Sequence, residues 1–157
     1  MAYVTNASGG PAGCIFCDVS GAGREELVLA HGRNVYAILN LYPYNSGHLM
    51  IVPFRHIATL AATTGDEQVE LMRFTRLAEM ALTEAYAPQG INVGMNLGRS
   101  AGAGIADHLH IHLVPRWTGD TNFMSVIGET RVLPEDLGAT KRKLQPIFER
   151  LQRLEAE

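Results

Sequence analysis

Cysteine is nearly absent from this chain: Cys14 and Cys17 are the only two among 157 residues. One close pair cannot build a framework of disulfides, so an apolar core must hold the fold, and the pair itself reads as metal or redox chemistry. Charge of either sign is also scarce. Charged residues make up 18% of the chain, Lys and Arg number 13 against 16 Asp and Glu, and the formal net charge is −3. That balance gives no long-range pull toward nucleic acid or an anionic membrane, so any phosphate recognition must come from local backbone amides and a few side chains. No apolar run approaches the length of a membrane span, and the first residues lack a basic segment followed by an apolar one. Neither nucleic acid nor membrane is expected as a partner, and the cytoplasm is the expected location.

What the chain has is apolar residues, at 46%, enough for one packed core. Residues 1–13, rich in Gly, Ser, Asn and Ala, cannot offset their ordering entropy by burial. A flexible N-terminal tail is therefore expected ahead of a single domain over 14–157. Short β-rich runs at 27–30, 34–39 and 48–52, split by turn-forming residues, predict an antiparallel meander. Thr64 and Glu67 make a capping box before Leu71, Phe74, Ala78, Ala81 and Ala85 at helical spacing, with Pro88 and Gly90 ending the helix. Met72, Phe74 and Met80 on it read as a core-facing stripe rather than a cofactor box. A strand over 91–97 and a glycine-rich loop, 98–104, follow. Pro115 is expected to break the strand after the loop, and Leu144, Phe148, Leu151 and Leu154 predict a last helix. Pro146 sits either in the first turn of that helix or as a kink in a longer one. Lys141, Arg142 and Lys143 read as a solvated face.

The chemistry concentrates at His108-Leu109-His110-Ile111-His112-Leu113-Val114, which holds three of six histidines. In an extended strand alternate side chains share a face, so the imidazoles point one way, about 7 Å apart, while the aliphatic residues point to the core. Histidine titrates near pH 6.5 and suits nucleophile, acid or ligand roles. A single zinc held by all three is excluded by distance, because the outer two would stand about 14 Å apart along a straight strand, against zinc–nitrogen bonds of about 2 Å. The small residues of the preceding loop, Ser100, Gly102, Ala103 and Gly104 among them, let backbone amides approach a phosphate closely.

Taken with the Cys14-Ile15-Phe16-Cys17 opening, Asn40, the Asn45-Ser46-Gly47-His48 turn, the Val52-Pro53-Phe54-Arg55-His56 exit and Asn96, these motifs resemble the histidine triad family of nucleotide hydrolases and transferases. The resemblance runs from Cys14 through Val132. Pro115-Arg116-Trp117, then Gly119-Asp120 and Asn122-Phe123, are similar to the branch acting on dinucleoside polyphosphates, the diadenosine tetraphosphate hydrolases and phosphorylases. The resemblance implies an α+β fold, a five-stranded antiparallel sheet with two main helices, paired as a homodimer. It implies a covalent nucleotidyl-histidine route with His110 as nucleophile, His112 on the phosphate and protonating the leaving oxygen, and His48 orienting the row from behind. Asn40 would hold the ribose, Phe16 and Ile38 would wall the base pocket, and Asn96, Trp117 and the loop from Ser100 to Gly104 would complete the nucleotide site. Zinc-bearing members imply His56 and His108 as the partners of Cys14 and Cys17 around a structural zinc, and no cofactor is required for the displacement.

Two departures from the family pattern stand out. Gly104 replaces the glutamine most members carry four residues before the first histidine, and Asp107 replaces an apolar residue, which shifts weight toward the phosphorylase branch. A nucleoside phosphoramidase of the same family and a noncatalytic nucleotide-binding protein are the competing readings, the latter gaining little from a full histidine row.

Overall fold

Why a sheet forms is visible in the burial of its strands. In the computed structural model, which describes residues 13–19, 24–120 and 134–156, five strands run β1 Val28–His31, β2 Val35–Leu39, β3 Leu49–Pro53, β4 Gly90–Gly94 and β5 Ile111–Arg116. They pair antiparallel in the order β1-β2-β3-β5-β4, so the last strand inserts between the third and the fourth. The sheet and two helices are those expected. Every residue of β2 and β3 is buried, which places these strands at the centre with both faces covered. The expected N-terminal tail, all but Gly13, and Asn122-Phe123 lie outside the described residues.

Helix α1, Gly65–Tyr86, opens with the complete capping box: Glu67 N–H donates to the Thr64 hydroxyl and Thr64 N–H to the Glu67 carboxylate. Its buried stripe, Leu71, Phe74, Leu77, Ala78, Ala81 and Leu82, packs on the sheet. Helix α2, Leu137–Ala156, starts where the Asp136 carboxylate accepts the Ala139 N–H at 3.0 Å, and it buries Thr140, Leu144, Phe148 and Leu151. The Phe74 and Phe148 rings meet at 5.8 Å where the helices cross. Pro146 lies inside α2, so the longer of the two expected helices is the one formed.

Several details depart from the sequence expectations for identifiable reasons. Met72 and Met80 are exposed, because they fall off the 71, 74, 78 and 81 phase that faces the core, and Leu154 is exposed on the last turn of α2. Lys143 is not simply solvated, since it pairs with Glu135 and lies over the Tyr86 ring. The histidine strand begins at Ile111 rather than His108, since its ladder to β3 ends at Ile51↔Ile111 and the next stretch of β3 closes on Pro53, which has no N–H to donate. At the other end β5 continues through Pro115 to Arg116. Past Leu113 it has only β4 as a partner among the described strands, so a residue without an N–H leaves no ladder bond unmade there.

The β1–β2 turn is held by α1. The buried Glu70 carboxylate accepts from Arg33 N–H at 2.8 Å and Asn34 N–H at 2.6 Å, satisfying two amides that the turn leaves unpaired. Gly32 sits beneath it with no room to spare, for a Cβ there would stand 2.5 Å from Glu70 Oε1 and 2.8 Å from Phe74 Cε2. Gly32→Ala is therefore expected to destabilise the chain by about 1–3 kcal/mol through overpacking, read from the urea midpoint; an unchanged midpoint would show that the Glu70 clamp is slack.

Candidate active site and metal cluster

On the sheet face away from the helices, hydrogen bonds fix the proton on each imidazole. His110, 5% exposed, donates from Nδ1 to the His108 carbonyl at 2.8 Å, which leaves Nε2 as a lone pair. His48 accepts the Tyr44 N–H on Nδ1 at 3.1 Å, so its Nε2–H donates to His112 Nδ1 at 3.0 Å, and the remaining His112 proton is on Nε2. His108 donates from Nε2 to the Pro53 carbonyl at 2.8 Å, which leaves Nδ1 bare toward the Cys14 and Cys17 sulfurs, 3.3 and 3.5 Å away. Three neighbouring histidines thus present three different free nitrogens: a bare Nδ1 on His108, a bare Nε2 on His110 and an Nε2–H on His112. The His110 and His112 rings stand 4.7 Å apart, closer than the strand repeat because one lies edge-on to the other at 78°.

Burial sets the charge. Desolvation lowers His48 to about 3 and His112 to about 4, each pushed further by its histidine neighbours, and burial lowers His110 as well. All three are neutral at pH 7. The neutral Nε2 suits His110 as a nucleophile, whereas the expectation of His112 titrating near neutrality is corrected: without a bound anion it is a neutral donor.

The turn behind His48 is clamped on both sides. Asn45 donates to the Pro115 carbonyl at 2.9 Å and to Asp120 at 2.8 Å, and Asp120 takes a two-pronged pair from Arg116. Ser46 accepts the Glu135 N–H. Gly47, at φ 82°, would put a Cβ 3.0 Å from Leu82 and Tyr86, so only glycine allows this approach. Tyr44, not singled out in the sequence, lies exposed with its ring 4.7 Å from His48 and 6.4 Å from His112. Its place four residues before His48 in a Tyr-Pro-Tyr turn is the one sequence signal for it.

Phe16 packs 5.1 Å from the His110 ring and lines a narrow pocket with Ile38 and Asn40, together with Ile15, Leu41 and Met50. The structure brings these expected residues together. Asn40 also forms a turn, accepting the Tyr42 N–H at 3.1 Å, while its amide lies 3.4 Å from both His48 nitrogens. Asn96 donates to the Gly102 carbonyl at 3.3 Å and braces the glycine-rich loop. Within that loop the Ala101, Gly102 and Ala103 amides bond back to Gly98 and Arg99, so of the expected phosphate donors Ser100 and Gly104 are those this turn does not occupy. A Cβ at Gly104 would meet nothing within 4 Å, so the missing glutamine leaves open space. Trp117 stands beyond the end of β5, five residues and about 16 Å along the strand from His112, so this chain does not bring it to the histidines.

Beside the row, Cys14, Cys17, His56 and His108 present one ligand atom each, all within 4.8 Å of one another. Bonds of about 2.0–2.3 Å in a tetrahedron have edges of about 3.3–3.8 Å, so the set fits zinc with little closure. The chemistry of the set agrees. Desolvation and the neighbouring Cys14 push the Cys17 thiol up to about 11, so two adjacent thiolates need a cation between them. The Pro53 carbonyl on His108 Nε2 is the outer-shell partner that metal-bound histidines usually have.

A HIT domain family model matches residues 23–119, which cover both the histidine row and its supporting turn. The chain belongs to the HIT family. It is 52% identical over 120 residues to an AP-4-A phosphorylase of Mycobacterium tuberculosis, a match covering 76% of this chain and 62% of that protein. The chain thus spans less than two thirds of that relative's length. An uncharacterized HIT-like protein of Saccharolobus solfataricus is 33% identical over 71% of this chain and 79% of its own. Among solved structures, a Zn-bound histidine triad family protein from Mycobacterium smegmatis shares the fold at TM-score 0.73 and 24% identity, covering 92% of this chain and 99% of that one.

The neutral histidines of this HIT chain make its stability pH-dependent. In the unfolded chain each titrates near 6.5, above its folded value, so unfolding takes up protons as the pH drops. Stability is complete above about pH 6.5 and is expected to fall as the pH is lowered through 4, with a shallower slope in His48→Asn. Urea midpoints between pH 4 and 7 that do not change would contradict the neutral row.

Proposed function

We propose that this chain transfers a nucleotidyl group from dinucleoside polyphosphates, such as diadenosine tetraphosphate, through a covalent intermediate on His110. The observation that carries the reading is the bare Nε2 of His110, held by the His108 carbonyl between the Phe16 pocket and the His112 donor. The family membership and the similarity to an AP-4-A phosphorylase support it.

In the first half-reaction His110 Nε2 attacks the α-phosphorus, a P–N bond forms, and the P–O bond to the leaving polyphosphate breaks. The negative phosphates favour His112 taking up a second proton on binding, and the resulting imidazolium gives its Nε2–H to the departing oxygen and returns to a neutral ring. In the second half the acceptor, water or inorganic phosphate, gives its proton to His112 while its oxygen displaces His110. Asn40 holds the ribose, Phe16 and Ile38 enclose the base, and the Ser100 and Gly104 amides meet the phosphate oxygens. His48 touches no reacting atom and acts as a positioning residue. Cys14, Cys17, His56 and His108 hold a structural zinc, which supplies folding free energy and no step of the reaction. Among the described residues no helix is long and apolar enough to cross a membrane, and we assign the protein to the cytoplasm.

Product analysis with diadenosine tetraphosphate tests the reading. ADP plus ATP formed only with phosphate marks a phosphorylase, and AMP plus ATP without it a hydrolase. His110→Ala should fold yet lose several orders of magnitude in turnover; near wild-type turnover removes His110 as nucleophile. A phosphoramidase is the second reading, supported by 27% identity over 103 residues to an adenosine 5'-monophosphoramidase of Schizosaccharomyces pombe; there His110 would attack the same phosphorus while the P–N bond to a leaving amine breaks.

We also propose a homodimer through α1 and β4. β4 pairs only with β5 among the described strands, its Val93 is exposed, and Val69 and Met72 are exposed on α1, so pairing would cover an open sheet edge and apolar side chains. Sedimentation at micromolar concentration should give about 34 kDa, twice the 17.1 kDa chain; a stable monomer would refute the pairing.

A further inference from the structure

Three of the four cluster ligands have an evident anchor. Cys14 is buried, and the Cys17 and Asp18 amides both bond to its carbonyl, while His108 is buried and tied to Pro53. His56 has neither support. It lies between the end of β3 and the 3-10 turn Leu60–Ala62, in a stretch without a ladder, half-buried, with Nδ1 3.2 Å from Cys17 Sγ. What holds it is its neighbour on each side. Ile57, buried, accepts the Leu109 N–H on its carbonyl at 2.6 Å. Arg55 reaches away from the cluster, donating from Nε to Glu67 Oε1 at 2.9 Å and from Nη2 to Glu67 Oε2 and the Ala62 carbonyl, each at 2.7 Å. Glu67 is itself buried and belongs to the capping box of α1, so the strap carrying His56 is bolted to the first turn of the longest helix.

We propose that Arg55, through its fork on Glu67, is a positioning residue for the metal cluster: it holds His56 in ligating posture and thereby sets metal affinity. The inference rests on the zinc reading given above. Two physical effects act through the pair. A strap fixed on both sides of His56 loses little conformational freedom when the fourth bond forms, whereas a loose one must be ordered by the metal. The pair also cancels charge, since Glu67 neutralises a guanidinium that would otherwise face an incoming dication one residue from its ligand. Only arginine spans both carboxylate oxygens and the Ala62 carbonyl with one planar group, so lysine at 55 keeps the charge and loses the fork.

The same strap touches the catalytic side. Pro53 and Ile57 supply the carbonyls that take His108 Nε2–H and Leu109 N–H, immediately before His110, so its posture is shared by the cluster and the start of the histidine row.

The test follows zinc release from the full chain, purified with its zinc, as a competing chelator is added. Wild type should hold about one zinc per chain. Arg55→Ala and Glu67→Gln should release it at about 10–100-fold lower chelator, the loss typical of outer-shell partners, with Arg55→Lys between. Thr64→Ala removes the helix cap while leaving the Arg55 fork, so it should lower the melting temperature and release zinc as wild type does. Wild-type protein that binds no zinc overturns the zinc reading and this inference with it. Zinc-loaded wild type with equal retention in Arg55→Ala overturns the inference alone, as does equal early release from Thr64→Ala. Should Arg55→Ala fail to fold, retention in Arg55→Lys equal to wild type overturns it.

Discussion

His108 is the residue on which the rest of the site depends, because both its ring nitrogens and its carbonyl are committed to different neighbours. Its Nε2–H is held by Pro53, its Nδ1 faces the two cysteines, and its backbone carbonyl orients His110. The first bond makes the second possible, since a proton fixed on one ring nitrogen leaves the other as a lone pair. The third makes His108 a support for the His110 ring two residues on. A side chain buried to 1% and bonded on all sides has one available posture. The different free nitrogens within one row of histidines are thus a consequence of which groups each ring meets.

The sheet explains why such a row can exist. β2 and β3 are buried on both faces, with helices on one and the site on the other. Along β5 the alternation sends Ile111 and Leu113 into the core, where they are 2% and 0% exposed, while His112 faces the site opposite Met50. Desolvation on that second face keeps the imidazoles neutral, and the same desolvation would be costly for an unpaired polar atom. No fully buried side-chain nitrogen or oxygen is left without a partner among the described residues. The His48 turn achieves this through side chains rather than a ladder: Asn45, Ser46 and Asp120 bridge three segments that the sheet does not join.

Much of this was legible in the sequence because it follows from local rules. The capping box, the stripes of α1 and α2 and the Cys-x-x-Cys half-site each depend on residues a few positions apart. The elements that were not legible depend on partners distant in the chain. The histidine strand starts late because Pro53, on another strand, offers no N–H. Pro115 is accommodated because β3 begins only at Leu49 and leaves that side of β5 without a partner among the described strands. Met72 and Met80 read with Phe74 as a core-facing stripe, yet helical phase turns them outward. The charge state of His112 follows from burial and from His110, which an unperturbed pKa does not convey. Trp117 matches a family motif, but strand length carries it away from this chain's own row.

Neutrality of the row also bears on how such a site handles a polyanion. A cluster of fixed positive charges would bind substrate and product phosphates alike and so slow release, because binding both states equally does not accelerate the chemical step. Here the positive charges on the β5 exit and the His56 strap are already matched: Arg116 pairs with Asp120 and Arg55 with Glu67. On the proposed reaction the row would acquire charge as phosphate binds, since a bound anion opposes the shift that burial imposes on His112. On that mechanism proton uptake would accompany binding. Attraction would then be greatest while negative charge develops on the leaving oxygen, and would weaken as that oxygen takes the proton and departs.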